Sequence, residues 1–329
     1  MTIRSGTTRC RAAAALVVIL GALVIAGSQP GAAASFPTEV MASVVSLLPD
    51  WPGFSSGGRG ADGRPKNPEG TAVAVLPGGY LATNVHVIGR AETIRIRLED
   101  GRIMPAEIVG RDPLTDIALV KAPMDLPVPP VGPEPGLGDR VCAIGNQFGL
   151  GLSVTCGVVS ALHRTGTGFN SIEDFIQTDA VVNPGGSGGL LVDGGGRMVG
   201  LVSAIFTKDS DANIGVNFAS SITLVLRVVR DLKDHGRVLR GELGFGVRDL
   251  TENERRTLSG AAIDRVARGG PALEAGLEVG DVVTAVGDRP IRRASDLPSA
   301  AHMNRPGQAF SITIVRAGVR RQITLTPAP

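Results

Sequence analysis

Aromatic residues are scarce: 3% of the 329-residue chain, with one Trp and one Tyr. Few rings are therefore present to stack on nucleic-acid bases. Charge is also sparse, at 19% Asp, Glu, Lys and Arg, and the formal net charge is only +2. A near-neutral balance without a basic block speaks against a nucleic-acid partner. Only four His are present, scattered as His86, His163, His235 and His302, and no C-x-x-C occurs. Metal-ligand spacing is thus lacking, and neither a metal nor any other cofactor is expected. Three Cys exclude a disulfide-dense scaffold. No apolar run reaches the ~20 residues of a membrane-spanning helix. The longest, residues 12–27, has 16.

Gly (45), Pro (22) and small aliphatics are plentiful, in a chain that is 43% hydrophobic. This composition favours a turn-rich, mainly β fold with a real core. Arg4, Arg9 and Arg11 precede the 12–27 run, and Ala32–Ala34 offer an A-x-A site before Ser35. That order describes an export signal over residues 1–34, with a membrane anchor at 12–27 as the alternative if it stays uncleaved. A periplasmic or secreted location follows, with membrane association only in the uncleaved case.

Residues 35–70 open with TEVMASVVSLL and continue as GFSSGGRGADGRPKNPEG, which reads as an N-terminal segment and flexible loop. From Thr71 short β-rich runs separated by turns follow: TAVAVL, TIRIRL, DIALVKA, RVCAIG, SVTCGVVSAL, GLLVD, MVGLVSAI and IGVNFA. They predict an antiparallel barrel or sandwich over 71–236. SSITLVLRVVRDLKDH closes it as a helix, with a Ser cap and Gly236 as its stop. A second, mixed α+β unit is expected over 241–327. Cys142 and Cys156 sit in neighbouring strand-like segments. An exported protein permits a bridge between them, and two buried thiols are the alternative.

At residues 183–193 the chain reads NPGGSGGLLVD, one hydroxyl among four glycines. A Gly/Ser linker has this look. So does a nucleophile whose backbone N–H groups must stay open to a substrate. His86 follows an apolar strand in GGYLATNVHVIGR, and Asp116 precedes one in RDPLTDIALVKA. Singly, Asp116 suits a turn, His235 a helix C-terminus, and His163 and His302 surface positions. Together His86, Asp116 and Ser187 have the chain order of a chymotrypsin-like triad, one barrel carrying the first two and a second barrel the serine. The N–H groups of Gly185 and Ser187 would then hold an oxyanion. GGSGG also fits a nucleophile elbow, but that motif needs a helix after the serine, and strand–turn–strand follows here.

GYLATNVHVI, GRDPLTDIALVKA, AIGNQFGLG, DFIQTDAVVNPGGSGG, GLVSAIF, RGELGFGV and GPALEAGLEVGDVVTAVGDRPI together resemble the HtrA/Deg-type (DegP-like) serine proteases, over residues 68 to 325. The resemblance implies a chymotrypsin-like double β-barrel followed by one PDZ domain. It implies a serine endopeptidase of the cell envelope acting on unfolded or damaged polypeptides, commonly a homotrimer. His86, Asp116 and Ser187 match the triad, and Gly185, Gly186 and Ser187 the oxyanion loop. Ser203, Ala204 and Ile205 match the strand that pairs with substrate, and Val216 and Phe218 the wall of the primary pocket. Glu242, Leu243, Gly244 and Phe245 match the loop that captures peptide C-termini. The family's usual GNSGGPL is altered by Gly186 and Leu190, and a frequent glycine is replaced by Asn217. A membrane-anchored regulatory protease and a silent chaperone or scaffold are the competing functions.

Overall fold

Strands buried on both faces decide the architecture. In a computed structural model describing residues 1–2, 36–50, 69–205 and 214–329, the first barrel is built from β1 (Val44–Asp50), β2 (Gly70–Leu76), β3 (Tyr80–Asn84), β4 (Thr93–Arg97), β5 (Ile103–Asp112) and β6 (Ile117–Lys121). The strands close in the order β1-β2-β3-β6-β5-β4. In β2, Ala72 and Ala74 fill the barrel while Val73 and Val75 face a second core outside it. In β6 the split is Ala118 and Val120 inside, Ile117 and Leu119 outside. Such strands read as unbroken apolar runs. β4 has one solvent face, so TIRIR alternates as expected, with Ile94 and Ile96 buried.

A second barrel repeats the plan with β7 (Arg140–Gly145), β8 (Ser153–Arg164), β9 (Phe175–Thr178), β10 (Leu190–Asp193), β11 (Met198–Ile205) and β12 (Asn217–Ser221). Its order is β10-β11-β12-β9-β8-β7. Two closed six-stranded antiparallel barrels are the chymotrypsin-like arrangement the sequence predicts. One assignment needs correction. The sequence alone sets 35–70 apart from the barrels, whereas β1 pairs with both β2 and β4 and closes the first of them. Its VVSLLP is buried throughout, so no alternation announces it. The expected export signal beyond residue 2, the 12–27 run and residues 53–68 of the expected loop lie outside the described residues, and the loop's last residue, Gly70, opens β2. Among the described residues no helix is long and apolar enough to cross a membrane.

Helix α2 (Ile222–His235) continues directly from β12. The Ser221 hydroxyl caps it by accepting from Leu224 N, and Gly236 ends it in the left-handed region at φ 69°. Leu224, Val228 and Leu232 seal the inter-barrel core with Leu119, Ile144 and Leu201.

Cys142 and Cys156 are directly opposed on β7 and β8 and are joined, S–S 2.10 Å. The bridged residues are 14 apart in sequence. A loop of that size contributes about 3 kcal/mol by constraining the unfolded chain. The double variant Cys142→Ser/Cys156→Ser is therefore expected to lower unfolding free energy by about 2–3 kcal/mol, the scale given by chain entropy. Urea titration of both proteins with and without dithiothreitol checks this. Reductant should destabilise the native chain and leave the variant unchanged.

The third unit is a six-stranded sheet: β13 (Phe245–Asp249), β14 (Ala261–Val266), β15 (Val282–Val286), β16 (Arg289–Pro290), β17 (Phe310–Arg316) and β18 (Val319–Leu325). Short helices α3 (Glu252–Arg255), α4 (Pro271–Glu274) and α5 (Asp296–His302) connect them. Ala317 and Gly318, at φ 50° and 78°, make the tight β17–β18 turn. Strand β13 pairs with β14 only and so forms an edge of the sheet.

This unit is docked on the barrels through charge. Arg289 Nη2 reaches Asp174 Oδ1 at 2.7 Å, and Arg305 Nη2 reaches Asp231 Oδ1 at 2.6 Å. Thr165 donates to Asp296, and Ser299 donates to the Glu173 carbonyl. Burial opposes ionisation of Asp174, but His163, Arg289 and Ser221 outweigh it and hold its pKa below the ordinary value. His163 is not a free surface residue: its Nδ1 meets Asp174 at 2.9 Å and its Nε2 meets Glu134 at 3.0 Å. Its pKa is raised, chiefly by the Asp174 bond.

His302 also departs from a surface position. It is 6% exposed, and neither ring nitrogen has a hydrogen-bond partner. Burial first, then Arg240 and Arg227, push its pKa down to about 4, against the opposing pull of Asp112 and Asp231. A histidine held neutral in the fold stabilises fully above its unfolded pKa, and that contribution is lost as pH falls through the folded value. Between about pH 6.5 and pH 4 the loss is at most about 3 kcal/mol. His302→Leu is expected to flatten the fall in urea midpoint between about pH 7 and pH 4.5. An identical fall in both proteins would assign the acid sensitivity elsewhere.

Candidate active site

His86 lies on the single turn α1 (Val85–Ile88) at the end of β3, and Asp116 on the tight connection between β5 and β6. The register Asn84↔Ile117 brings these strand ends side by side. His86 Nδ1 and Asp116 Oδ2 are 2.6 Å apart, and Asp116 Oδ1 accepts from His86 N at 2.9 Å. One carboxylate thus fixes both the ring and its backbone. Asp116 has φ 59°, a left-handed conformation that costs a non-glycine residue roughly 1–3 kcal/mol. Its carbonyl is held there by Val85 N at 3.0 Å and Asn84 Nδ2 at 3.0 Å.

Ser187 comes from the second barrel, on the turn before β10. It shares a cavity of about 470 Å³ with His86, Asp116 and Ser203. Ser187 Oγ donates to the Ser203 carbonyl at 3.3 Å, and among the described residues no hydrogen bond joins it to His86. Gly186 N donates to Asn183 O, Gly188 N to Val202 O and Gly189 N to Gly186 O, each at 2.9 Å. The N–H groups of Gly185 and Ser187 have no protein acceptor among the described residues. Two donors left open beside a hydroxyl are what an oxyanion requires.

The glycines answer to space. A Cβ on Gly185, at φ 92°, would lie 2.3 Å from Asn146 O. One on Gly188, at φ 80°, would lie 2.0 Å from Thr71 O. Thr71 moors the serine loop to the first barrel. Its N–H donates to Ser187 O at 3.0 Å, and its hydroxyl donates to Gly185 O at 2.7 Å while accepting Asn146 N at 2.9 Å. Asn84, fully buried, likewise spans the barrels, from Asp116 O to Ser203 Oγ at 3.4 Å. The sequence reading passes over both, because TAVAVL reads as plain strand and nothing local sets Asn84 apart.

Ser203, Ala204 and Ile205 end β11, in register opposite β12. Val216 and Phe218 line a neighbouring cavity of about 390 Å³ with Thr165, Gln177 and Arg293, not the cavity that contains Ser187. Asn217 is fully buried. The segment 163–174, which the sequence suggests is a surface loop, supplies Phe169 and Asn170 to the Ser187 cavity. Buried Glu173 gathers that segment, accepting from Thr167 N, Phe169 N and Asn170 N at 2.7–3.0 Å. Phe169 packs on Phe218 and Phe175, centroids 5.8 and 6.4 Å away. Glu242 to Phe245 lead into β13, with Gly244 at φ 76° and its carbonyl accepting Ala267 N at 2.8 Å. Among the described residues no cluster of His, Cys, Asp and Glu could hold a metal ion.

Comparison with known proteins bears on the family to which the chain belongs. Residues 70–201 match the trypsin-like peptidase domain family, and residues 241–326 match the PDZ domain family. The chain is 36% identical over 276 residues to the periplasmic serine endoprotease DegP of Salmonella typhimurium, covering 81% of this chain and 58% of that protein. It therefore spans little more than half the length of that relative. It is 35% identical over 267 residues to the serine endoprotease DegS of Escherichia coli K12, covering 78% of this chain and 75% of that one. The solved structure of the HtrA-type protease AlgW with a tripeptide superposes with TM-score 0.69 at 36% identity, covering 88% and 95% of the two chains. A serine endoprotease from Yersinia pestis superposes with TM-score 0.59 at 31% identity, again over 88% and 95%. With both barrels, the C-terminal sheet and these relatives in agreement, the chain belongs to the HtrA family of trypsin-like serine proteases that carry a C-terminal PDZ domain.

Proposed function

We propose that the protein is a serine endopeptidase of the bacterial periplasm that cleaves unfolded or damaged polypeptides, with His86, Asp116 and Ser187 as its triad. The observation that carries this reading is the 2.6 Å contact of His86 Nδ1 with Asp116, in the same cavity as Ser187. Asp116 fixes the tautomer that leaves Nε2 free to accept a proton and stabilises the imidazolium that forms. The Ser187 hydroxyl turns from the Ser203 carbonyl to His86 as substrate enters; such contacts commonly tighten only in the complex. Ser187 Oγ attacks the scissile carbonyl, His86 takes its proton and then hands it to the leaving amine. Gly185 N and Ser187 N hold the oxyanion, each worth roughly 3 kcal/mol of barrier. The substrate runs as an added strand along Ser203–Ile205. A fluorophosphonate probe should label Ser187, located by peptide mapping. Labelling elsewhere, or none, counts against the triad.

In this reading the protease comprises 36–236, and 241–327 form a PDZ domain that receives peptide C-termini at Glu242–Phe245. That domain is seated on the segment 163–174 through Arg289–Asp174 and Ser299–Glu173, and the same segment places Phe169 and Asn170 in the cavity. Peptides ending in a free hydrophobic residue should therefore raise kcat/KM for casein, and Arg289→Ala should mimic part of that rise. The likeness to the HtrA proteases is what supports reading the protein as a homotrimer. Light scattering should give three times the mass of the mature chain.

A further inference from the structure

The cavity at the far end of β13 shares no residue with the catalytic crevice and adjoins the domain interface, where its Arg293 also lines the cavity beside Thr165. It measures about 500 Å³. Three guanidinium groups, from Arg255, Arg292 and Arg293, share it with one carboxylate, Asp249, beside Leu250 and Leu258. That carboxylate is already engaged: its Oδ1 accepts from Ala294 N at 2.8 Å. Arg255 reaches Asp249 only at 3.8 Å, and Arg293 reaches Asp296 only at 3.8 Å. The Arg292 guanidinium has no partner among the described residues. The nearby Glu254 is taken by Arg248 at 2.8 Å and by Thr251. A surplus of positive charge is thus held open to solvent.

The open edge of β13 leads to this place. A peptide added to that edge, its terminal carboxylate at Leu243–Phe245, advances about 3.3 Å per residue. From Phe245 to Asp249 is four residues, so the peptide's fifth residue from its end arrives at the cavity mouth. We infer that this cavity is a subsite for Glu or Asp side chains at the fifth to seventh positions from the C-terminal end of a peptide docked on β13. The inference rests on the PDZ reading above, and adds to it an acidic class of partner. Arg292 and Arg293 contact the acid directly, and Leu250 and Leu258 cover its aliphatic stem.

The test is fluorescence anisotropy on the full-length chain carrying Ser187→Ala, which prevents cleavage. Three ten-residue peptides share one hydrophobic C-terminal tripeptide and carry Glu, Ala or Lys at the fifth to seventh positions from the end. Two exposed ion pairs predict about tenfold tighter binding of the Glu peptide than of the Lys peptide at low ionic strength. The ratio should shrink in about 0.5 M salt, a change screening requires. Arg292→Glu/Arg293→Glu should reverse the order, which a merely unfolded variant could not do. Equal affinity for Glu and Lys peptides overturns the subsite while leaving the PDZ reading intact. A Glu preference that survives in the double variant places its origin elsewhere and overturns it too. Failure of all three peptides to bind overturns the PDZ reading and the subsite together.

Discussion

Ser187→Ala is expected to lower kcat/KM for casein by about 10⁶-fold, the scale seen when a triad nucleophile is removed. The loss falls on kcat, because the substrate strand at Ser203–Ile205 and the PDZ domain lie outside the change. Asp116→Asn should cost about 10⁴-fold, since it keeps the geometry but presents the wrong imidazole tautomer. His86→Ala combined with Ser187→Ala should cost no more than either alone, because the residues act as one unit. Thermal unfolding of the Ser187→Ala protein should match the parent, because the hydroxyl makes one bond, 3.3 Å long, to Ser203 O. Casein cleavage that persists in this variant would leave the triad without support. A protein that binds unfolded chains and never cuts them would instead favour the scaffold reading.

Gly188→Ala is the substitution expected to damage the fold most. The added Cβ would meet Thr71 O at 2.0 Å and Thr83 Oγ1 at 2.5 Å. Neither atom can give way cheaply. Thr71 O accepts the Thr83 hydroxyl at 2.7 Å, and Thr71 itself tethers Ser187 and Gly185. The position also has φ 80°, where any side chain is strained. Overpacking and strain together predict a loss of roughly 3–5 kcal/mol. A marginally stable domain has little more to lose. Urea denaturation measures it. Gly101→Ala is the control: it shares a φ of 86° but its Cβ would meet nothing within 4 Å. It should cost only the strain of its backbone, about 1–2 kcal/mol. Equal losses at the two sites would show that the close contact between the barrels contributes nothing.

Much of this organisation was legible in the residues. The Gly-rich setting of Ser187, the order His86, Asp116, Ser187, and the Ser221 and Gly236 caps of α2 each depend on local chemistry. β4 showed its period because one of its faces meets water. β1 did not, because both faces are covered, and an unbroken apolar run carries no phase. β5 and β9 escaped for a related reason: IMPAEIVGRD mixes polar and apolar residues along an exposed strand, and FIQT is only four residues long. His302 could not be placed from sequence, since its burial depends on α5 docking against Arg227, Arg240, Asp112 and Asp231, residues far apart in the chain. The same holds for Phe169, whose segment looks like ordinary turn until Glu173 gathers its N–H groups.

Which side chains are available for chemistry, where the strands turn, and that backbone alone can fit around Ser187 were all written in the linear order of residues. Those properties come from positions within a few places of one another. Folding in three dimensions added the rest: Ser187 Oγ points to Ser203 O, Thr71 and Asn84 tie the two barrels together, Cys142 meets Cys156, and three arginines open at the end of β13. Each of these depends on distances between segments remote in the chain. Strand register and barrel closure set such distances, and no local pattern encodes them.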